Sequence, residues 1–279
     1  MEKTCPKIID SHAHLNFYVF KDDKDQIIQE AEKRGAWVIN VGSNFETSRK
    51  AVEIAQDYSI GIYSAVGVHP IHVQNEEFDE ECFRDLAQNN ERVIAIGETG
   101  LDYYHIYFDN KGISEPQAQK IKEQQKNLFR KHLELSRILN LPLIFHCRDQ
   151  KENDAYLEMI DILNEFRESH HDFELRGVIH CFSADLGIAK MFLNLGFLIG
   201  FTGIITFSKQ FDEVIKNLPL DKILVETDCP YLSPEPKRGE RNLPQNVFYV
   251  AERIAQLKDI GVEKVKQQTV ENTRNLFRI

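Results

Sequence analysis

The chain has 279 residues, 42% hydrophobic and 28% charged, which excludes a disordered or low-complexity protein and suffices to bury a sizeable core. A formal net charge of −10 argues against broad, non-specific coating of nucleic acid, without excluding an enzyme whose cleft is made locally positive by metal ions. No apolar run is long enough to span a bilayer, the N-terminus lacks a secretory apolar region, and five cysteines without paired spacing make no disulfide framework, so a cytoplasmic monomer is expected.

Short apolar strands alternate with amphipathic helical stretches. Strands are predicted at 7–11, 37–41, 62–68, 93–97, 143–146, 177–180, 198–201 and 223–226. Helices are predicted at 23–34, 46–57, 79–89, 117–139, 152–168, 184–195 and 208–217, with two more at 244–258 and 263–276. Gly35 reads as a stop for the first helix, Ser183 as the N-cap of the sixth and Pro244 as the start of the eighth. Eight strand–helix units predict a single-domain α/β protein over 1–279, a (β/α)8 TIM barrel with an extra C-terminal helix. A doubly wound open sheet is the alternative.

The strand ends carry the chemistry. His12 and His14 close the first strand, and side-chain alternation turns both to one side. Glu98 follows the fourth strand, His146 ends the fifth, His180 ends the sixth and Asp228 follows the eighth. A barrel gathers such positions around one mouth, whereas an open sheet would spread them too far apart. Four imidazoles and two carboxylates exceed what one ion with an open coordination position would use, so two divalent ions are expected, with Glu98 the natural bridge. The imidazoles favour Zn²⁺ or Mn²⁺ (Fe²⁺ and Ni²⁺ are also compatible) over Mg²⁺. Cys147, Cys181 and Cys229 each follow a candidate ligand and are expected to point outward as small apolar groups.

Around this set stand candidates for substrate contacts. His69 reads either as a phosphate or supporting contact or as a cap of the turn before Pro70. Arg148, Arg238 and Arg241 read as phosphate contacts or as surface residues. Tyr103, Tyr104, His105 and Tyr107 form an aromatic run after the fourth strand that could stack bases or pack a loop. Residues 111–131, rich in Lys, Gln and Glu, read as the exposed face of a helix, and His132 has no strand-end context.

Six stretches carry a resemblance. They are Asp10-Ser-His-Ala-His14, Ala65-Val-Gly-Val-His-Pro70, Ala95-Ile-Gly-Glu-Thr-Gly-Leu-Asp102, Leu141-Pro-Leu-Ile-Phe-His-Cys-Arg-Asp149, Gly177-Val-Ile-His-Cys-Phe182 and Val225-Glu-Thr-Asp-Cys-Pro-Tyr-Leu232, followed by Arg238-Gly-Glu-Arg-Asn-Leu-Pro244. In this order, over nearly the whole chain, they resemble a TatD-family metal-dependent deoxyribonuclease. The resemblance implies that His12, His14, Glu98 and Asp228 hold one ion, and that Glu98, His146 and His180 hold the second, in a family often described as Mg²⁺-dependent. It implies removal of nucleotides from the 3′ end of single-stranded or damaged DNA, with Asp228 taking a proton from the attacking water. Hydrolysis of an amide, ester or aminoacyl-tRNA on the same centre is the rival reading, and a metal-stabilised binding protein the third.

Overall fold

The structure is a computed structural model and describes residues 5–150 and 154–279. Eight parallel strands lie side by side in chain order: β1 Ile8–Ala13, β2 Ala36–Val41, β3 Ile62–Val66, β4 Val93–Asp102, β5 Leu143–Arg148, β6 Gly177–His180, β7 Leu198–Phe201 and β8 Ile223–Val225. The ring is closed just past β8, where Asp228 N–H donates to the His12 carbonyl at 2.8 Å and His14 N–H donates to the Cys229 carbonyl at 2.9 Å. Below this seam the buried Asp10 carboxylate accepts from Thr227 N–H at 2.8 Å and from its hydroxyl at 2.6 Å. The predicted (β/α)8 barrel is therefore observed, and its first and last strands meet beside the candidate ligands.

The helices wrap the outside: α1 Lys24–Arg34, α2 Phe45–Asp57, α3 Glu80–Gln88, α4 Tyr103–Asp109, α5 Glu115–Leu139, α6 Asp154–Ser169, α7 Leu186–Asn194, α8 Asp212–Asn217, α9 Val247–Lys258 and α10 Val262–Phe277. The barrel interior is filled by Ile9, Ile39, Ala65, Ala95, Ile144, Val178 and Leu224. The extra helix α10 adds Val270, Leu276 and Phe277 to the same cluster, against residues such as Trp37 and Tyr63 at the strands' starting ends. It closes the end of the barrel opposite the ligands, leaving the carboxyl ends of the strands as the open mouth.

The structure corrects several local expectations. β4 runs on to Asp102 and pairs with β5 as far as Arg148, beyond the predicted end at Gly97. Gly97 and Gly100 permit this, because they take φ of +154° and +144° and a Cβ there would lie 2.8 Å from the Ile144 carbonyl oxygen and 2.0 Å from that of His146. The aromatic run after β4 is helix α4, started by the Asp102 carboxylate accepting the His105 N–H at 2.8 Å. Asp185, not Ser183, caps α7, while Ser183 meets the Tyr156 hydroxyl at 2.9 Å. Gly35 ends α1 with φ +81°, and Pro244 opens a 3₁₀ turn leading into α9, both as read from the sequence. The first two residues of the predicted helix 152–168 lie outside the described residues; α6 continues from Asp154.

Candidate metal centre

Two mechanisms turn the ligands inward. On β5, β6 and β8 simple alternation suffices: Ile144, Val178 and Leu224 fill the interior, so His146, His180 and Glu226 two residues later share that face. On β1 and β4 alternation from the inner residues Ile9 and Ala95 would instead select Ser11 and Thr99. Register shifts between Asp10 and Ala13, and between Gly97 and Thr99, reverse the parity. His12, His14, Glu98 and Asp102 thereby face the mouth, while Ala13 packs outward with Phe20, Ile27 and Ile28.

All six predicted ligands converge. His12 Nε2 and His14 Nε2 are 3.1 Å apart. Glu98 Oε2 lies 3.3 Å from His12 Nε2 and 3.8 Å from His14 Nε2, and Asp228 Oδ1 lies 3.9 and 3.4 Å from the same atoms. The other oxygen of Glu98 faces a second group: Oε1 is 2.8 Å from His146 Nδ1, 3.5 Å from His69 Nε2 and 3.8 Å from His180 Nε2. His180 stands between the two groups, as its Nε2 is also 3.8 Å from Asp228 Oδ1 and its ring stacks on His12 with centroids 3.5 Å apart. Two imidazole nitrogens 3.1 Å apart, with carboxylate oxygens within 4 Å of both, form a donor set suited to a divalent cation.

The outer nitrogens of His14, His146 and His180 face groups that the sequence reading did not single out as functional. His14 Nδ1–H donates to the Val41 carbonyl at 2.8 Å, leaving the Nε2 lone pair directed into the site. Its ring also stacks on Phe17 at 4.4 Å. His146 Nε2 lies 2.9 Å from the buried carboxylate of Asp102, which also holds His105 Nδ1 at 2.7 Å. His180 Nδ1 is 2.9 Å from Glu226 Oε1, an ion-pair contact outside hydrogen-bond alignment. The Glu226 carboxylate occupies space opened by Gly200, where a Cβ would come within 2.7 Å of it. These carboxylates orient the imidazoles and raise their basicity. Glu226 was accessible from the sequence, since it stands two residues before Asp228. Asp102 was hidden behind the unrecognised extension of β4.

The electrostatics follow from burial and pairing. Burial alone would raise the Glu98 carboxyl, yet His69 and His12 around it hold it well below the usual range. Asp228 behaves likewise under His14 and His180. Burial opposes protonation of His146, but Asp102 and Glu98 outweigh it and push it up to about 9. Glu226 does the same for His180, pushed up to about 10. His69, buried and beside His146, is pushed down to about 3. Ionised carboxylates thus draw positive charge into a site where burying an uncompensated anion would be costly.

The remaining predicted residues separate. His69 caps the 3₁₀ turn Pro70–His72, its Nδ1 accepting Ile71 N–H at 3.2 Å, while Nε2 faces Glu98. Arg241 is bound to Asp23 and to the Val19 carbonyl, the latter at 2.7 Å, so it ties the loop after β8 to the segment before α1. Arg238 lies over the Phe207 ring at 4.0 Å and Arg148 over that of Tyr104 at 4.1 Å. Cys147 and Cys229 pack among apolar neighbours as expected. Cys181 does not: at φ +45° it has left the strand, and it joins His180 and Asp228 in a possible metal-binding group.

A family model described as TatD related DNase matches residues 9–278. The chain is 36% identical over 276 residues to the uncharacterized metal-dependent hydrolase YabD of Bacillus subtilis, covering 98% of this chain and 99% of that one. It is 36% identical over 278 residues to the uncharacterized metal-dependent hydrolase YcfH of Escherichia coli K12, covering 98% and 96%. The crystal structure of YJJV, a TatD homologue from Escherichia coli K12, superposes with a TM-score of 0.83 at 26% identity, covering 99% of each chain.

Proposed function

The chain belongs to the TatD-related DNase family of metal-dependent hydrolases, and from that premise we propose that it is a divalent-metal-dependent deoxyribonuclease that removes nucleotides from the 3′ end of single-stranded or damaged DNA. The observation that carries this reading is the division of Glu98, whose two oxygens face separate imidazole groups. His12, His14, Glu98 and Asp228 would hold one cation, and Glu98, His146 and His180 the other. Bound divalent cations supply water activation and neutralise charge on the phosphoryl and leaving oxygens.

The chain's own groups supply the rest. Asp228, ionised at neutral pH by its imidazole neighbours, takes a proton from the attacking water. Asp102 and Glu226 fix the rings of His146 and His180, so the donors are set before substrate arrives. Arg148, at the end of β5, and Arg238, in the loop after β8, are the groups we assign to the nucleic-acid backbone; Arg241 is committed to Asp23 and serves the loop instead.

The test is a digest of 3′- and 5′-labelled single- and double-stranded deoxyoligonucleotides with Mg²⁺, Mn²⁺ or Zn²⁺, alongside ester and amide substrates and an EDTA control. Release of mononucleotides from the 3′ end is expected. Hydrolysis confined to an ester, amide or aminoacyl bond would replace this reading with the rival one.

A further inference from the structure

The aromatic run after β4 is divided by its helix into two faces. Tyr103 and Ile106 are buried, and the Tyr103 hydroxyl donates to Glu158 at 2.7 Å, so α4 is anchored to α6. Tyr104 and Phe108, four residues apart, share the opposite face. Their rings stack with centroids 5.1 Å apart at 20°, and Phe108 is 57% exposed. Arg148 joins them from the last position of β5, its guanidinium 4.1 Å from the Tyr104 centroid. Three planar groups therefore form one stepped surface at the mouth. Arg148 pairs in register with Asp102, and it stands two residues beyond His146 on the same strand.

Resting on the nuclease reading, the geometry points to Tyr104, Phe108 and Arg148 as a stacking platform for an unpaired nucleobase of the strand whose phosphodiester lies at the metal centre. Exposed aromatic and guanidinium planes accept any base face, contributing about 1–3 kcal/mol per base, and they offer nothing to a base already stacked inside a duplex. With a net charge of −10, broad long-range attraction for DNA is weak, so contacts close to the cleft weigh more in affinity. The platform supplies stacking and one cation together, from α4 and the last residue of β5, beside the β4–β5 pair that presents Glu98 and His146.

The experiment uses the full chain loaded with Mn²⁺ and a single-stranded deoxyoligonucleotide carrying 2-aminopurine near its 3′ end. Wild type is expected to quench the probe on binding. Phe108→Ala and Tyr104→Leu should abolish the quench and raise KM for the oligonucleotide about tenfold. Their loss of kcat/KM on the oligonucleotide should exceed their loss on the same oligonucleotide with abasic residues at its 3′ end, which has no base there to stack. Phe108→Tyr should restore both readouts, and thermal melts should show each variant folded. If wild type cleaves the oligonucleotide and the alanine and leucine variants keep its KM and quench, the platform is wrong and the nuclease reading stands. If wild type cleaves no oligonucleotide, the nuclease reading fails and takes the platform with it.

Discussion

Gln125, on the inner face of α5, brackets the backbone of Asp102: its Oε1 accepts the Asp102 N–H at 2.9 Å and its amide group donates to the Asp102 carbonyl at 3.1 Å. Both partners are buried. Through this pair a helix outside the barrel fixes the end of β4, and with it the carboxylate that holds His146. Gln125→Leu would take away the side-chain partner of the buried Asp102 N–H and one acceptor contact of its carbonyl, at a cost of about 1–3 kcal/mol. A loss of that size in a urea melt is expected. A variant as stable as wild type would show that the bracket contributes nothing.

Asp102 and Glu226 act on the centre through the imidazoles they hold. Asp102→Asn removes the charge facing His146 Nε2, and Glu226→Gln removes the one facing His180 Nδ1. Each substitution should weaken metal affinity about 10- to 100-fold. Competition against a chelator of known affinity measures this directly. Unchanged affinity in both variants would exclude an orienting role.

How much of this was legible in the sequence depends on what kept each residue in pattern. His146 and His180 lie on strands that alternate regularly and Asp228 comes just past one, so hydrophobic pattern and strand end together located them. His12 and Glu98 were found by their position past an apolar run, but the register shifts that turn them inward leave no hydrophobic trace. Asp102 was passed over because two glycines made β4 look finished at Gly97. Gln125 and His132 lie on α5 within or beside a stretch rich in Lys, Gln and Glu, read as a solvent face, and both are buried. A polar residue on a helix declares its side only through its partner, and here the partners are backbone groups some twenty and sixty residues distant.

His132 gives a pH prediction independent of the metal centre. Its Nδ1–H donates to the Leu128 carbonyl at 2.9 Å and its Nε2 accepts Val68 N–H at 3.0 Å, so the folded protein holds the neutral ring. Burial pushes it down to about 4, from 6.5 in an exposed histidine. Above pH 6.5 the ring is neutral folded or unfolded and contributes no pH dependence. As pH falls from 6.5 to 4 the unfolded chain binds a proton that the folded one refuses, so stability falls, by about 3 kcal/mol at the low end. Urea melts of wild type and His132→Gln across this range should differ in slope, with the variant flatter. Parallel slopes would remove His132 from the pH response.

Glu98 lies between both imidazole groups, so its removal should affect chemistry, metal content and thermal stability together. Glu98→Ala takes away the oxygen that faces His12 and His14 and the one that faces His146. Among the described residues no other carboxylate spans His12, His14 and His146 in its place: Asp228 reaches His12, His14 and His180, and Asp102 touches His146 at its outer nitrogen. On the proposed nuclease reading, DNA hydrolysis should be lost in Glu98→Ala, and likewise in Asp228→Ala, which removes the proposed proton acceptor. The far-UV circular dichroism of each should match wild type, since the barrel core lies below the site. Metal content by elemental analysis should drop in Glu98→Ala. In wild type, EDTA should lower the melting temperature, because a cation that binds only the folded state stabilises it by mass action. In Glu98→Ala the same treatment should change it little. Normal turnover by this variant, or a wild-type melting temperature indifferent to EDTA and added Mn²⁺, would remove Glu98 from the metal centre.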